Sequence, residues 1–179
     1  SVSFSTCSLS NYLLLATASQ DKFIRIWEIQ KEKEGMKKEE ECNSFLINNI
    51  PHSVSLSALL IGHDDWVYSA KWCTRNDKLA IISCSADRTL ILWEACEDVW
   101  KPAVHLGMLS GGSSQGIYGA LLVDNQIFAN EYSGSIFSWK FDQTNKEWQS
   151  QPALTGHMGP VTDICWFQNN SSFSSSARL

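Results

Sequence analysis

His63, Ser85 and Asp87, with Ser83 beside them, are the residue types of a nucleophile, a base and the group that orients the base. In a hydrolase such a set needs an exposed hydroxyl and donors for the developing oxyanion. No G-x-S-x-G turn is present to supply that geometry. The six cysteines are Cys7, Cys42, Cys73, Cys84, Cys96 and Cys165. No two form C-x-x-C, and none stands with a histidine at zinc-ligand spacing, so they read as free thiols of a reducing compartment. The glycine-rich stretch 111–116 lacks a lysine and precedes no helix, so it is not a phosphate loop. Its glycines suit a turn with positive φ. The chemistry-bearing residues therefore point to no catalytic centre, no metal and no cofactor.

The wider sequence explains why His63 and Asp87 recur where they do. Three segments align on a tryptophan: 17–27, 83–93 and 129–139. Asp21 and Asp87 each stand six residues before Trp27 and Trp93, and Ser133 takes that place before Trp139. The tryptophan steps are 66 and 46 residues. The shorter is close to the roughly 40–45 residues of one propeller blade, and the longer leaves room for about 20 inserted residues. A second recurring element is Gly-His, at Gly62-His63 and Gly156-His157. Each is followed by alternating apolar residues, the pattern of a half-buried strand. Strands are expected over 13–19, 23–28, 67–72, 79–85, 90–94, 116–122, 126–130, 136–141 and 161–166. Turns at 85–89 and 132–135 carry the Asp or Gly of tight hairpins.

This pattern resembles the WD40 repeat family over roughly residues 12–170. The resemblance implies an all-β propeller fragment, with about two complete four-stranded blades and two partial ones. It also implies that the histidine, a strand hydroxyl, the turn aspartate and the tryptophan form one hydrogen-bonded network. Carried over here, the set is His63, Ser83 or Ser85, Asp87 and Trp93. Partial sets are Asp21 with Trp27, Trp139 alone, and His157 alone. Such a network satisfies buried polar groups that would otherwise be costly, each bond contributing on the order of 1 kcal/mol.

The expected organisation is a partial blade at 1–29, a charged and polar insertion at 30–57 and a complete blade at 58–96. A degenerate blade at 97–145 follows, then the start of another at 146–170 and a Ser-rich tail at 171–179. Residues 31–41 carry nine charges in eleven positions, which suits a solvated loop. About two blades cannot close a ring, so the piece is expected to need its missing blades. The chain begins without a methionine, which suggests a start further upstream.

Finer details are similar to the WD-repeat subunits of the Elongator complex. They include Trp66 before Val67, Gly111-Gly112 through Gly116-Ile117-Tyr118 in place of Gly-His, and Gly156-His157-Met158-Gly159-Pro160-Val161 after Trp148. That resemblance implies a scaffold binding other protein subunits of a complex that modifies tRNA wobble uridines, with the chemistry in a different subunit. An adaptor from ubiquitin ligation or signalling is the competing reading, and an enzyme the third. Loop-tip residues Asp64, Asp65, Trp66, Arg88 and Tyr118 are the candidate partner contacts. The net charge of -5 argues against direct nucleic-acid contact. The apolar runs are too short to span a bilayer and no signal peptide opens the chain, so a cytoplasmic or nuclear protein is expected.

Overall fold

The computed structural model describes residues 1–6, 12–32, 43–97, 99–107 and 116–166. Cys7, Cys42, the stretch 111–115, nearly all of the charged run and the Ser-rich tail lie outside the described residues.

Among the described residues, thirteen strands form three antiparallel sheets. The first sheet runs β1 (Val2–Thr6), β2 (Tyr12–Ala18), β3 (Ile24–Lys31), β5 (Ile50–Leu60) and β4 (Asn43–Ile47) in spatial order. The second is β6 (Val67–Arg75), β7 (Lys78–Ser85), β8 (Leu90–Cys96) and β9 (Val99–Leu106). The third is β10 (Ile117–Val123), β11 (Gln126–Glu131), β12 (Ile136–Asp142) and β13 (Glu147–Leu154). Asn48-Asn49 and Asn76-Asp77 close two hairpins with both residues at positive φ. Paired positive φ marks the primed turn whose twist matches that of the strands it joins.

Each sheet stacks on the one before it. β6 packs against β1 and β2, and β10 packs against β6 and β7. The second sheet is thereby buried on both faces. Ile81, Ile91 and Trp93 face the first sheet with Ile24, Ile26 and Leu60. Ala80, Ile82, Leu90 and Leu92 face the third with Ile117, Ile127 and Trp139. A strand buried on both sides has no polar face to show. That is why β7 and β8 read as continuous apolar runs.

Polar contacts tie the sheets together. The Trp72 indole donates to the Ser3 carbonyl at 3.0 Å, and the Val67 amide to the Ser19 carbonyl at 3.1 Å. Arg75 pairs with Glu94 at 2.8 Å and lays its guanidinium over Phe141 and Trp148 of the third sheet, 5.4 and 5.7 Å from the ring centroids.

Strand placement departs from the sequence expectations in two ways. β5, within the stretch 50–60 expected mostly as insertion, is the fourth strand of the first sheet. β9 and β13 complete the second and third sheets in stretches not read as strands. Conversely, 161–166, expected as a strand, is an extended connection without strand pairing. It crosses to the other sheets through side chains: Lys71 pairs with Asp163, and Asn130 donates to the Val161 carbonyl.

Burial also sorts the thiols. Cys84 is buried and Cys73 largely so, and loss of solvation pushes both up to about 12. Cys96 and Cys165 are exposed. Iodoacetamide at neutral pH is expected to label Cys96 and Cys165 before Cys73 and Cys84, because the thiolate is the form that reacts. Peptide mass mapping checks this. Early labelling of Cys84 would mean that the second and third sheets separate in solution.

Candidate functional site

The Gly-His loop joins the fourth strand of the first sheet to the first strand of the second. Gly62 follows β5, and His63 precedes β6. A side chain at Gly62 would meet the Trp93 ring 2.9 Å from its Cβ, so only glycine lets the loop pass this close to the indole. His63 is then carried over the end of the second sheet, where its ring is almost wholly buried.

Two strands, β7 with Ser83 and β8 with Trp93, and the turn that carries Asp87 complete the arrangement. His63 Nδ1 lies 2.8 Å from Asp87 Oδ2, and His63 Nε2 lies 2.8 Å from Ser83 Oγ. The Trp93 indole N–H donates to the same Ser83 oxygen at 2.9 Å. One proton assignment satisfies every member. Nδ1–H donates to the carboxylate, the Ser83 hydroxyl donates to Nε2, and the indole donates to the hydroxyl. Asp87 also accepts from the Asp64 amide, the Thr89 amide and the Thr89 hydroxyl at 2.9, 2.8 and 2.6 Å. Burial works against ionisation at Asp87. The bonds from His63, Thr89 and the Asp64 amide outweigh it and hold the carboxyl well below the usual carboxylate range.

Of the two serines, Ser83 joins the histidine and the tryptophan. Ser85 instead accepts from the Asp87 amide and donates to the Asp65 carbonyl. The Ser83 hydroxyl is fully buried and committed on both sides, so it has no path to a substrate carbonyl. The arrangement holds a loop to a sheet; it does not present a nucleophile. Among the described residues no group of three or more His, Cys, Asp or Glu could hold a metal ion.

The other repeats show what happens when members are missing. In the first sheet the Trp27 indole donates to Thr17 at 3.0 Å, and Asp21 accepts from the Phe23 amide and from Arg25 at 3.1 and 2.6 Å. Arg25 partners Asp21 here, where in the second repeat His63 partners Asp87. In the third sheet the residue ten before the tryptophan is Ala129, which has no hydroxyl. Trp139 is 1% exposed, and its indole N–H has no partner among the described residues. His157, at the next Gly-His, is exposed.

The turns themselves are conserved in shape across all three copies. Ser19, Ser85 and Glu131 each donate an amide to the carbonyl four residues on, at 3.3, 3.2 and 3.2 Å. The fourth residue is left-handed each time: Lys22, Arg88 and Gly134, at φ 73, 70 and 90°. The third copy exchanges its side-chain types. Glu131 stands where the others have serine, Ser133 stands where they have aspartate, and Ser133 donates to the Glu131 carboxylate. The aligned sequence contains this exchange, but only the shared turn geometry reveals that it preserves a carboxylate–hydroxyl pair.

Replacing Ala129 with serine restores the missing acceptor. The variant is expected to gain about 1 kcal/mol in the third sheet, the net contribution of one buried hydrogen bond. Hydrogen exchange of the β11 and β12 amides reads the gain. Unchanged protection would mean that the Trp139 indole is already satisfied.

Of the candidate contacts, Asp64, Asp65 and Trp66 are exposed on the Gly-His loop, and Arg88 occupies the left-handed turn position. Tyr118 is half-buried on β10 and stacks on Tyr68 of β6. The structure thus places Tyr118 in contact with the strand that follows the Asp64–Trp66 loop. Tyr68 and Tyr132 belong to the same aromatic group and were not among the residues singled out from sequence. Tyr68 sits in an alternating strand where it looks like any other half-buried residue.

The pattern for "WD domain, G-beta repeat" matches residues 1–28 and 54–94. Its second match spans β5 to β8, so one sequence repeat contributes the fourth strand of one sheet and three strands of the next. The chain is 32% identical over 187 residues to Elongator complex protein 2 of Arabidopsis thaliana, across 90% of this chain and 22% of that protein. The Drosophila melanogaster protein of that name is 34% identical, across 86% of this chain and 22% of its own length. For the Homo sapiens protein the identity is 30%, across 86% and 21%. The chain therefore spans about a fifth of the curated relatives it matches. In fold it is similar to Sqt1 of Saccharomyces cerevisiae, with a TM-score of 0.55, 8% identity, and 88% of this chain and 35% of that chain covered.

Proposed function

From the premise that this chain carries WD40 repeats and is a fragment of a WD40 β-propeller, we propose that it works as a non-catalytic protein-interaction scaffold within an Elongator-like complex. The observation that carries the proposal is the similarity to Elongator complex protein 2, which runs through nearly the whole chain rather than through the repeats alone. The geometry supports a scaffold because the polar residues with catalytic potential are spent on holding the Gly-His loop. The partners are other protein subunits of that complex. The complex acts on tRNA wobble uridines, and the chemistry resides in a different subunit. Residence in the cytoplasm, with a nuclear pool, follows from that role. Among the described residues no helix is long and apolar enough to cross a membrane.

The domain limits fit this role if each sequence repeat is a connector. A repeat that begins on one sheet and ends on the next makes every sheet depend on its neighbour. Stability then comes from the stack, as in other repeat architectures.

Deleting the parent gene and measuring wobble-uridine side chains in total tRNA by nucleoside mass spectrometry tests the proposal. Loss of the modified nucleosides, restored by the intact gene, is the expected result. Unchanged nucleosides would remove the Elongator reading and favour an adaptor in another pathway.

A further inference from the structure

Two β-bulges occupy equivalent places in neighbouring sheets. The register of β6 against β7 shifts between Val67 and Ser69, and that of β10 against β11 shifts between Ile117 and Gly119. Tyr68 and Tyr118 are the residues at those shifts. A bulge turns its side chain away from the regular ladder, and such sites are used to aim a side chain. Here both point the same way. Their rings stack with centroids 4.6 Å apart and planes within 5°. Tyr132, in the turn after β11, extends the row at 5.9 Å from Tyr118. It is 52% exposed, so the ladder opens to solvent at that end.

Core packing does not account for this row. The two buried clusters that join the sheets contain none of the three tyrosines. The surroundings are acidic. Asp64 and Asp65 are exposed on the loop leading into β6, followed by Trp66 at 46% exposure. The Tyr68 hydroxyl is pushed up by partial burial, then by Tyr118, and also by the Asp65 charge, which places that carboxylate within electrostatic reach of the ladder.

We propose that the solvent-open end of the ladder Tyr68–Tyr118–Tyr132 receives an arginine side chain of a partner protein, attracted by the acidic charge that Asp65 adds beside Tyr68. Aromatic faces attract cations, and the attraction grows as the site is desolvated. A guanidinium is the best match because it is planar, always charged and stacks on an aromatic face such as the exposed ring of Tyr132. Nucleic-acid bases also stack on tyrosine, but their phosphates would meet Asp64, Asp65 and a net charge of -5. The site rests on the scaffold reading above and names the chemistry of one of its partners.

Site-specific photocrosslinking in the full-length protein tests this. A benzoylphenylalanine at position 66 replaces an exposed aromatic residue beside the ladder. The expected crosslink falls on a protein segment with an arginine within a few residues. Tyr132→Ala is expected to lower its yield by about fivefold to thirtyfold, the worth of one desolvated cation–π contact. Tyr132→Phe keeps the ring and is expected to keep the yield. Tyr132 is exposed, so neither change threatens the fold. A crosslink to RNA, to a segment without arginine, or none at all overturns the proposal, as does a yield unchanged in Tyr132→Ala. The partner's identity is a separate readout. An arginine segment from a protein outside Elongator keeps the ladder site and removes the Elongator reading, whereas an Elongator segment without arginine does the reverse.

Discussion

Trp93→Ala is expected to destabilise the first two sheets by about 3–5 kcal/mol, the range for deleting a buried aromatic side chain. Trp93 is 2% exposed and lies in the cluster shared by those sheets, against Ile24, Ile26, Leu60 and Ile91. Its removal opens a cavity at the joint between them and takes the indole donor from Ser83. The loss is therefore expected on both sides of the joint. Hydrogen exchange should speed up at the β3 amides as well as at β7 and β8, because stability here is shared between stacked sheets. Trp93→Phe retains most of the ring and is expected to lose less, mainly the bond to Ser83 at about 1 kcal/mol. Faster exchange in β7 and β8 with β3 unchanged would mean that the sheets are independent. Such a result would contradict the packing described for them.

Asp87→Ala is expected to cost about 2–3 kcal/mol at neutral pH, because it leaves several donors without an acceptor. Those donors are His63 Nδ1, the Asp64 amide, and the amide and hydroxyl of Thr89. The His63 ring is nearly inaccessible to water, which cannot fully replace the carboxylate there. The effect also has a pH signature. The folded-state value of Asp87 lies below its ordinary value of 3.8. Its contribution is then fully present above that ordinary value and is lost as pH falls through it toward the folded one. The difference between the parent and Asp87→Ala is expected to hold from neutrality down to about pH 5 and to shrink below about pH 4. Parallel acid titrations of the two chains, followed by near-ultraviolet circular dichroism, read it. A difference that grew on acidification would mean that the carboxyl is protonated in the folded state, against the bonding pattern.

How much of this was legible in the residues varies by strand. β2 and β3 of the first sheet and the first three strands of the other two carry the pattern, while β1 falls in a stretch not read as a strand. β7 and β8 announce themselves through continuous apolar residues, and β2 and β3 through an apolar run before a tryptophan strand. The fourth strands do not. β9 and β13 are mostly exposed, so burial imposes no alternation on their residues. β5 hides for the same reason and was absorbed into the expected insertion. At 161–166 the opposite error arises. The sequence alternates as β6 does, but no second strand is there to pair with it among the described residues.

The network around Ser83 shows the same division at the level of atoms. Gly-His and the Asp-to-Trp spacing recur in the sequence, and the partnership of His63, Asp87 and Trp93 is what the resemblance to WD40 repeats implies. The choice between Ser83 and Ser85 does not follow from either. Both are buried, and they lie two residues apart on one face of β7. Only the three-dimensional position of His63 over the sheet end decides that Ser83 takes the ring and Ser85 the turn. Repeat spacing and residue type thus determined the all-β class and the recurrence of the unit, because these are local consequences of strand periodicity, and the resemblance they carry implied the structural use of the polar residues. The tertiary structure alone decided the fourth strands, the offset between repeat and sheet, and the tyrosine ladder, because each depends on how one sheet meets the next.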